Sequence, residues 1–173
     1  MIEVEVKAWV SGPDQLERIE NFVRDWTGLP EVMQEDLYFS HPCRDFSRTD
    51  EALRLRRVGG APEAWYLTYK GPKLDRISKS REEIEIRTAP DIEAILEKLG
   101  FSRVARILKT RRGFRKGDTL LYLDDVEGLG RFVELESASH DTDRLSALAG
   151  IITELGLKSE RRSYLELLLA EGH

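Results

Sequence analysis

The chain has one cysteine, Cys43, in 173 residues. No intrachain disulfide can form, and no thiolate cluster can hold zinc. The three histidines, His41, His140 and His173, have no partner at ligand spacing, so imidazole is not the basis of a metal site either. Long apolar runs are missing too, and none approaches the length of a membrane-spanning helix. An excess of basic charge is also absent. Lys and Arg total 27 against 32 Asp and Glu, a net charge of −5. Nucleic acid is therefore not an expected partner, because no global positive field would hold its phosphates, although a local basic pocket stays open. The first strand begins at residue 2, which leaves no room for a signal peptide. A cytoplasmic protein with no membrane partner is the expectation.

What the chain does have is charge, 34% of residues against 40% hydrophobic, on a length suited to one domain over 1–173. That charge is patterned. In Ile2 to Lys7 the apolar residues alternate with Glu3, Glu5 and Lys7. A strand sends successive side chains to opposite faces, so one face is aliphatic and the other carries two carboxylates and an ammonium. Glutamate is disfavoured in strands, and two in register call for a reason. Similar alternation marks strands at Met33 to His41, Leu53 to Arg56, Trp65 to Lys70, Arg81 to Thr88, Ser102 to Arg115, Leu120 to Val126 and Phe132 to Ser137. Helical spacing appears at Leu16-Ile19-Val23-Trp26, at Ile92-Ile95-Leu96-Leu99 and at Leu145-Leu148-Ile152-Leu155, and Ser163 to Glu166 has the form of a capping box. Eight strands and about four helices are expected. Glu-x-Glu precedes a helix three times, at Glu3/Glu5, Glu83/Glu85 and Glu134/Glu136, an echo of similar units.

The strand-borne acids are Glu3, Glu5, Glu83, Glu85, Asp124, Glu134 and Glu136; the bases are Lys7, Arg54, Arg56, Lys70, Arg81, Lys109 and Arg111. On an open sheet these would face water as cross-strand ion pairs. In a closed barrel they would converge on one axis. Clustered carboxylates without His or Cys suit a hard cation such as Mg²⁺ or Mn²⁺. Arginine forks and lysine point charges suit phosphate oxygens. Together they fit a metal-bound polyphosphate.

In this order the charged residues resemble the CYTH superfamily, the triphosphate tunnel metalloenzymes. Glu3-x-Glu5-x-Lys7 resembles its ExExK signature. Arg54-x-Arg56, Lys70, Arg81-x-Glu83-x-Glu85, Lys109-x-Arg111, Asp124 and Glu134-x-Glu136 follow as its later motifs do. The run Gln34-Glu35-Asp36-Leu37-Tyr38-Phe39 and the pair Arg44-Asp45 are similar to the class IV adenylyl cyclase branch. Arg162-Ser163-Tyr164 resembles the closing segment, where a lysine is common before Ser-Tyr. The resemblance implies an α+β fold, with an eight-stranded antiparallel barrel and helices packed outside it. It implies divalent metal, Mg²⁺ or Mn²⁺, on Glu3, Glu5, Asp124, Glu134 and Glu136. It implies triphosphate on Lys7, Arg54, Arg56, Lys70, Arg81, Lys109 and Arg111. Glu83, Glu85 and Arg162 would support these groups, and a homodimer is plausible. Glu3, Glu5, Lys7, Glu134 and Glu136 would carry the chemistry.

The expected activity is conversion of ATP to cyclic AMP and pyrophosphate. The alternatives are hydrolysis of thiamine triphosphate or inorganic triphosphate, and non-catalytic binding of nucleotide or polyphosphate. All use the same cage. Tyr38, Trp65 and Tyr66 could stack on a base, although aromatic residues on strands serve packing more often.

Overall fold

The computed structural model describes residues 4–72, 82–137 and 142–170. The elements run β1 (Val4–Val10), α1 (Pro13–Phe22), β2 (Thr27–Gly28), β3 (Val32–Ser40), α2 (Phe46–Thr49), β4 (Ala52–Val58), β5 (Ala64–Lys70) and β6 (Glu83–Thr88). They continue α3 (Ile92–Lys98), β7 (Ser102–Lys116), β8 (Thr119–Val126), β9 (Gly130–Ser137), α4 (Thr142–Glu154), β10 (Lys158–Glu160) and α5 (Tyr164–Ala170). Among the described residues eight strands have six residues or more, matching the eight long alternating segments of the sequence. Two short strands, β2 and β10, were not anticipated. With two and three residues they are too short to show a period of two. Strand order is β10-β1-β9-β8-β7-β3-β4-β5-β6, with β2 on β7. The α+β class is the expected one, antiparallel strands with helices packed on them, while the strand order of the described residues runs between two end strands, β10 and β6, where a closed eight-stranded barrel was expected.

The chain forms two compact units. One comprises Val32–Leu108 with residues 1–2, the other Glu3–Glu31 with Lys109–His173. In the second unit β1 pairs with β9, β9 with β8 and β8 with β7, all antiparallel. Val6, Ala8, Val133, Leu135, Leu121 and Leu123 lie on one face of these strands and form the core with Ile19 and Val23 at α1, and Leu148 and Ile152 of α4. Alternation then requires Glu5, Lys7, Glu134, Glu136 and Asp124 to share the opposite face. The apolar face is thus what sets the register of the polar one: a slip by one residue would bury the carboxylates beneath the helices.

In the first unit β3, β4, β5 and β6 form an antiparallel run. Leu37, Phe39, Leu53 and Leu55 pack against Leu96 of α3, with Trp65, Leu67 and Tyr69 of β5 partly buried beside them. Leu37, Leu55, Leu67 and Ile86 lie in line across the four strands. Burial fades along that line: Leu55 is fully buried, while Ile86 on β6 is 54% exposed. The strand expected from Arg81 begins at Glu83 among the described residues, and Arg81 itself lies outside them. The turn expected at Gly59-Gly60 is a longer loop, since Val58 and Ala64 are the last paired residues.

Candidate functional site

In the second unit the polar face gathers around Asp124, which is fully buried. Arg111 of β7 lies directly across from Asp124 of β8, and Lys109 lies two residues along, within diagonal reach. The Asp124 carboxylate accepts four hydrogen bonds. Arg111 donates to Oδ1 through Nε (2.7 Å) and to Oδ2 through Nη2 (2.6 Å); Lys109 Nζ (3.0 Å) and Tyr164 Oη (2.9 Å) also donate to Oδ2. A buried carboxylate is stable only with such compensation. The sequence alone did not reveal Tyr164 as a member of the site. Its only signal was the Ser-Tyr of the closing segment.

Beside this hub are three carboxylates. Glu5 of β1 lies directly opposite Glu136 of β9, and Glu134 lies opposite Lys7. Glu5, Glu134 and Glu136 each present an oxygen within 4.8 Å of the other two. Like charges opposed on neighbouring strands are destabilising unless a cation lies between or beside them. Arg111 supplies part of that charge, pairing with Glu134 and approaching Glu136 at 3.7 Å. Burial works against the Arg111 cation, but the charges of Glu134, Asp124 and Glu136 outweigh it and hold its pKa well above the ordinary value. Three hard oxygen donors without a nitrogen or sulfur ligand fit a divalent ion of the Mg²⁺ or Mn²⁺ kind. Asp124 is not part of that group; its oxygens are taken up by Lys109, Arg111 and Tyr164. Glu3 lies outside the described residues.

Aromatic rings complete the surroundings. Tyr122 lies opposite Gly113, and a Cβ on Gly113 would come within 3.0 Å of the Tyr122 ring. The missing side chain at 113 gives that ring its place, and the Arg111 guanidinium sits 4.2 Å from its centroid. Lys7, 2% exposed, holds its ammonium 4.3 Å from the Tyr164 centroid. Tyr164 in turn packs edge-on to Phe132, whose ring lies tilted against Trp9 with centroids 4.3 Å apart.

Arg162, expected as a supporting cation, donates to Glu160 through its backbone N–H, Nε and Nη2, and its side chain is half exposed. Glu160 also accepts from Trp9 Nε1 at 3.0 Å. The Arg162 bonds, set against a smaller opposing effect of burial, hold the Glu160 carboxyl down at about 2, from an ordinary 4.5. A depressed folded-state pKa contributes stability that is complete above the unfolded pKa and is lost as pH falls through the folded one. Glu160→Gln is therefore expected to flatten the loss of stability between about pH 4.5 and 2, read as urea midpoints across that range. An acid limb identical to wild type would mean that Glu160 carries none of it.

The first unit holds a separate polar face. Asp36, 1% exposed, is gripped by Arg56 at 2.6 and 2.7 Å in a two-pronged pair. Tyr38, Arg54, Thr68 and Glu85 lie in line across four strands. Arg54 donates to Thr68 (3.1 Å) and Glu85 (3.4 Å), Thr68 donates to Glu85 (2.8 Å), and Lys70 pairs with Glu83 (2.8 Å). Glu83 and Glu85 thus hold cations here. Arg54 keeps one buried donor, Nε, with no hydrogen-bond partner, and Gln34 keeps an unpartnered buried Oε1. Leaving such groups unmade is unfavourable, and an orphaned guanidinium N–H is suited to an anion. Of Tyr38, Trp65 and Tyr66, Trp65 packs against the core around α3 and Tyr38 is buried beside Asp36 and Arg54. Burial, and secondarily the Asp36 charge, keeps the Tyr38 hydroxyl protonated well into the alkaline range.

A model of the CYTH domain matches residues 1–164. A Methanocaldococcus jannaschii protein provisionally named an adenylate cyclase is 40% identical, covering 96% of this chain and 98% of its own. The Aeromonas hydrophila adenylate cyclase CyaB is 31% identical, covering 78% of this chain and 74% of its own. A solved protein structure from Pyrococcus horikoshii superposes with a TM-score of 0.86 at 40% identity, covering 98% of this chain and 99% of the other. No helix among the described residues is long and apolar enough to cross a membrane. With the domain model spanning nearly the whole length, and the ordered acids and bases on one face of the strands in each unit, the chain belongs to the CYTH family.

Proposed function

We propose that the protein is a divalent-metal-dependent enzyme that converts ATP to cyclic AMP and pyrophosphate. The observation that carries this reading is Glu5 facing Glu136, with Glu134 beside them and the cations Lys7, Lys109 and Arg111 on the same strand face. The name of the Aeromonas relative supports the choice of reaction. Glu5, Glu134 and Glu136 would hold the metal, with Glu3 as a further ligand. Bound there, a divalent ion lowers the pKa of an attacking oxygen and neutralises phosphate charge.

The chain's own residues supply positioning and charge. Lys7, Lys109 and Arg111 bind phosphate oxygens. Asp124 holds the last two in place. In the cyclase reaction the ribose 3′-hydroxyl oxygen attacks the α-phosphorus and loses its proton to solvent water, the bond from the α-phosphorus to the bridging oxygen breaks, and pyrophosphate leaves with its added negative charge met by the lysines and arginine. In a hydrolase the same cations would meet the charge on the terminal phosphorus under attack by water.

Purified protein with Mg²⁺ or Mn²⁺, given ATP, thiamine triphosphate and tripolyphosphate separately, decides among these. Cyclic AMP with pyrophosphate upholds the proposal. Orthophosphate alone makes it a triphosphatase, and binding without turnover makes it a nucleotide or polyphosphate binder. In the first unit Arg54, Arg56 and Lys70 are proposed as phosphate contacts, with Arg81 as another. Arg56→Ala is expected to raise the Kd for tripolyphosphate by about tenfold or more, the loss of one charge-assisted contact. Titration calorimetry checks this, and an unchanged Kd removes Arg56 from the binding set.

A further inference from the structure

We infer that Tyr164 is a positioning residue whose ring holds the ammoniums of Lys7 and Lys109 where an anion meets both. The inference rests on the proposed triphosphate site. Ser163 Oγ accepts from the Glu166 N–H at 3.2 Å, and Glu166 Oε2 accepts from the Ser163 N–H at 2.6 Å. This reciprocal capping box fixes the first turn of α5 and delivers Tyr164, its first residue, in one orientation. The ring is 6% exposed, braced by the edge of Phe132, and its hydroxyl donates to Asp124.

Two buried ammoniums share that ring. Lys7 Nζ is 4.3 Å and Lys109 Nζ 4.9 Å from its centroid, both within cation–π range. Two like charges brought to one ring repel each other, and Lys109 is held against that repulsion by Asp124 at 3.0 Å as well as by the ring. The negative face of the ring attracts both without neutralising either. Burial raises the tyrosine pKa well above its ordinary value, reinforced by Glu134 and Asp124, so the ring stays neutral. The hydroxyl acts separately from the ring, adding a fourth donor to Asp124, which holds Lys109 and Arg111. Tyr164 thus makes the last helix part of the anion site through its ring.

The test compares Tyr164→Phe with Tyr164→Leu by titration calorimetry with tripolyphosphate and Mg²⁺. Leucine is expected to raise Kd roughly tenfold, from the loss of two cation–π contacts. Phenylalanine keeps the ring and is expected to stay within about threefold of wild type. Wild-type affinity in the leucine variant, or equal weakening in both, overturns the inference. If Tyr164→Leu does not fold, NMR of the wild type decides. The ε-CH₂ protons of Lys7 and Lys109 should be shifted upfield by the ring, and ordinary lysine shifts at both would overturn it. That measurement needs no ligand. A wild type that binds no tripolyphosphate therefore removes the proposed function, while the lysine resonances still uphold or overturn the placement of the ammoniums.

Discussion

Glu136→Gln is expected to cut metal-dependent turnover about a hundredfold or more, with the protein still folded. Loss of a partner one layer removed from a metal typically lowers affinity or activity by roughly 10–100-fold, so loss of a direct ligand, the role proposed for Glu136, should do at least as much. The stability effect should be small. Glu136 faces Glu5 across the β1–β9 pair, so neutralising it relieves a like-charge contact in the metal-free protein. Arg111 loses one distant partner at 3.7 Å but keeps Glu134 and Asp124. Steady-state kinetics on whichever triphosphate the wild type processes, over a range of Mn²⁺ concentrations, gives the first result. A denaturant midpoint in chelator gives the second. Full activity, or a large loss of stability without metal, would show that Glu136 is a structural ion-pair partner rather than a metal ligand. Glu5→Gln should behave in the same way.

Asp124→Asn is expected to have the opposite profile, lowering unfolding stability by about 3–5 kcal/mol whether metal is present or absent. That is the usual effect of removing one partner from a buried ion pair, because the remaining charges lose compensation inside the protein. Asp124 is fully buried and binds two cations, Lys109 and Arg111, so neither can turn to water when it is neutralised. Guanidinium unfolding monitored by tryptophan fluorescence measures the change. Asp25→Asn provides the contrast, because Lys116 and Asp25 pair at 2.6 Å with both side chains more than half exposed. The second substitution should leave the midpoint where it is, since solvent and salt screen such pairs. A loss below about 1 kcal/mol at Asp124 would mean that it does not anchor the cations.

Asp124 and Glu136 were indistinguishable in the sequence. Both alternate with apolar residues on strands, and the family resemblance assigned both to metal. Neighbours brought by pairing separate them. Arg111 stands opposite Asp124, whereas another glutamate stands opposite Glu136. Arg56 was similarly legible as a cation on the polar face, but its two-pronged pair with Asp36 depends on the β3–β4 register. The short strands β2 and β10 had no period to reveal them. Tyr164 carried a visible capping box, while the lysines its ring meets are 157 and 55 positions away in the chain.

The sequence by itself determined which face each long strand turns inward. A period of two and the demand to bury Val6, Ala8, Leu121, Leu123, Val133 and Leu135 leave one solution. That also put Glu5, Lys7, Asp124, Glu134 and Glu136 together on the other face. The tertiary structure alone decided the partnerships within that face, because an ion pair or a carboxylate cluster depends on distances of a few ångströms between residues distant in the chain. Alternation says that a charge points away from the core. Only strand pairing and the docking of α5 say whether it meets a like charge, an opposite charge or a ring.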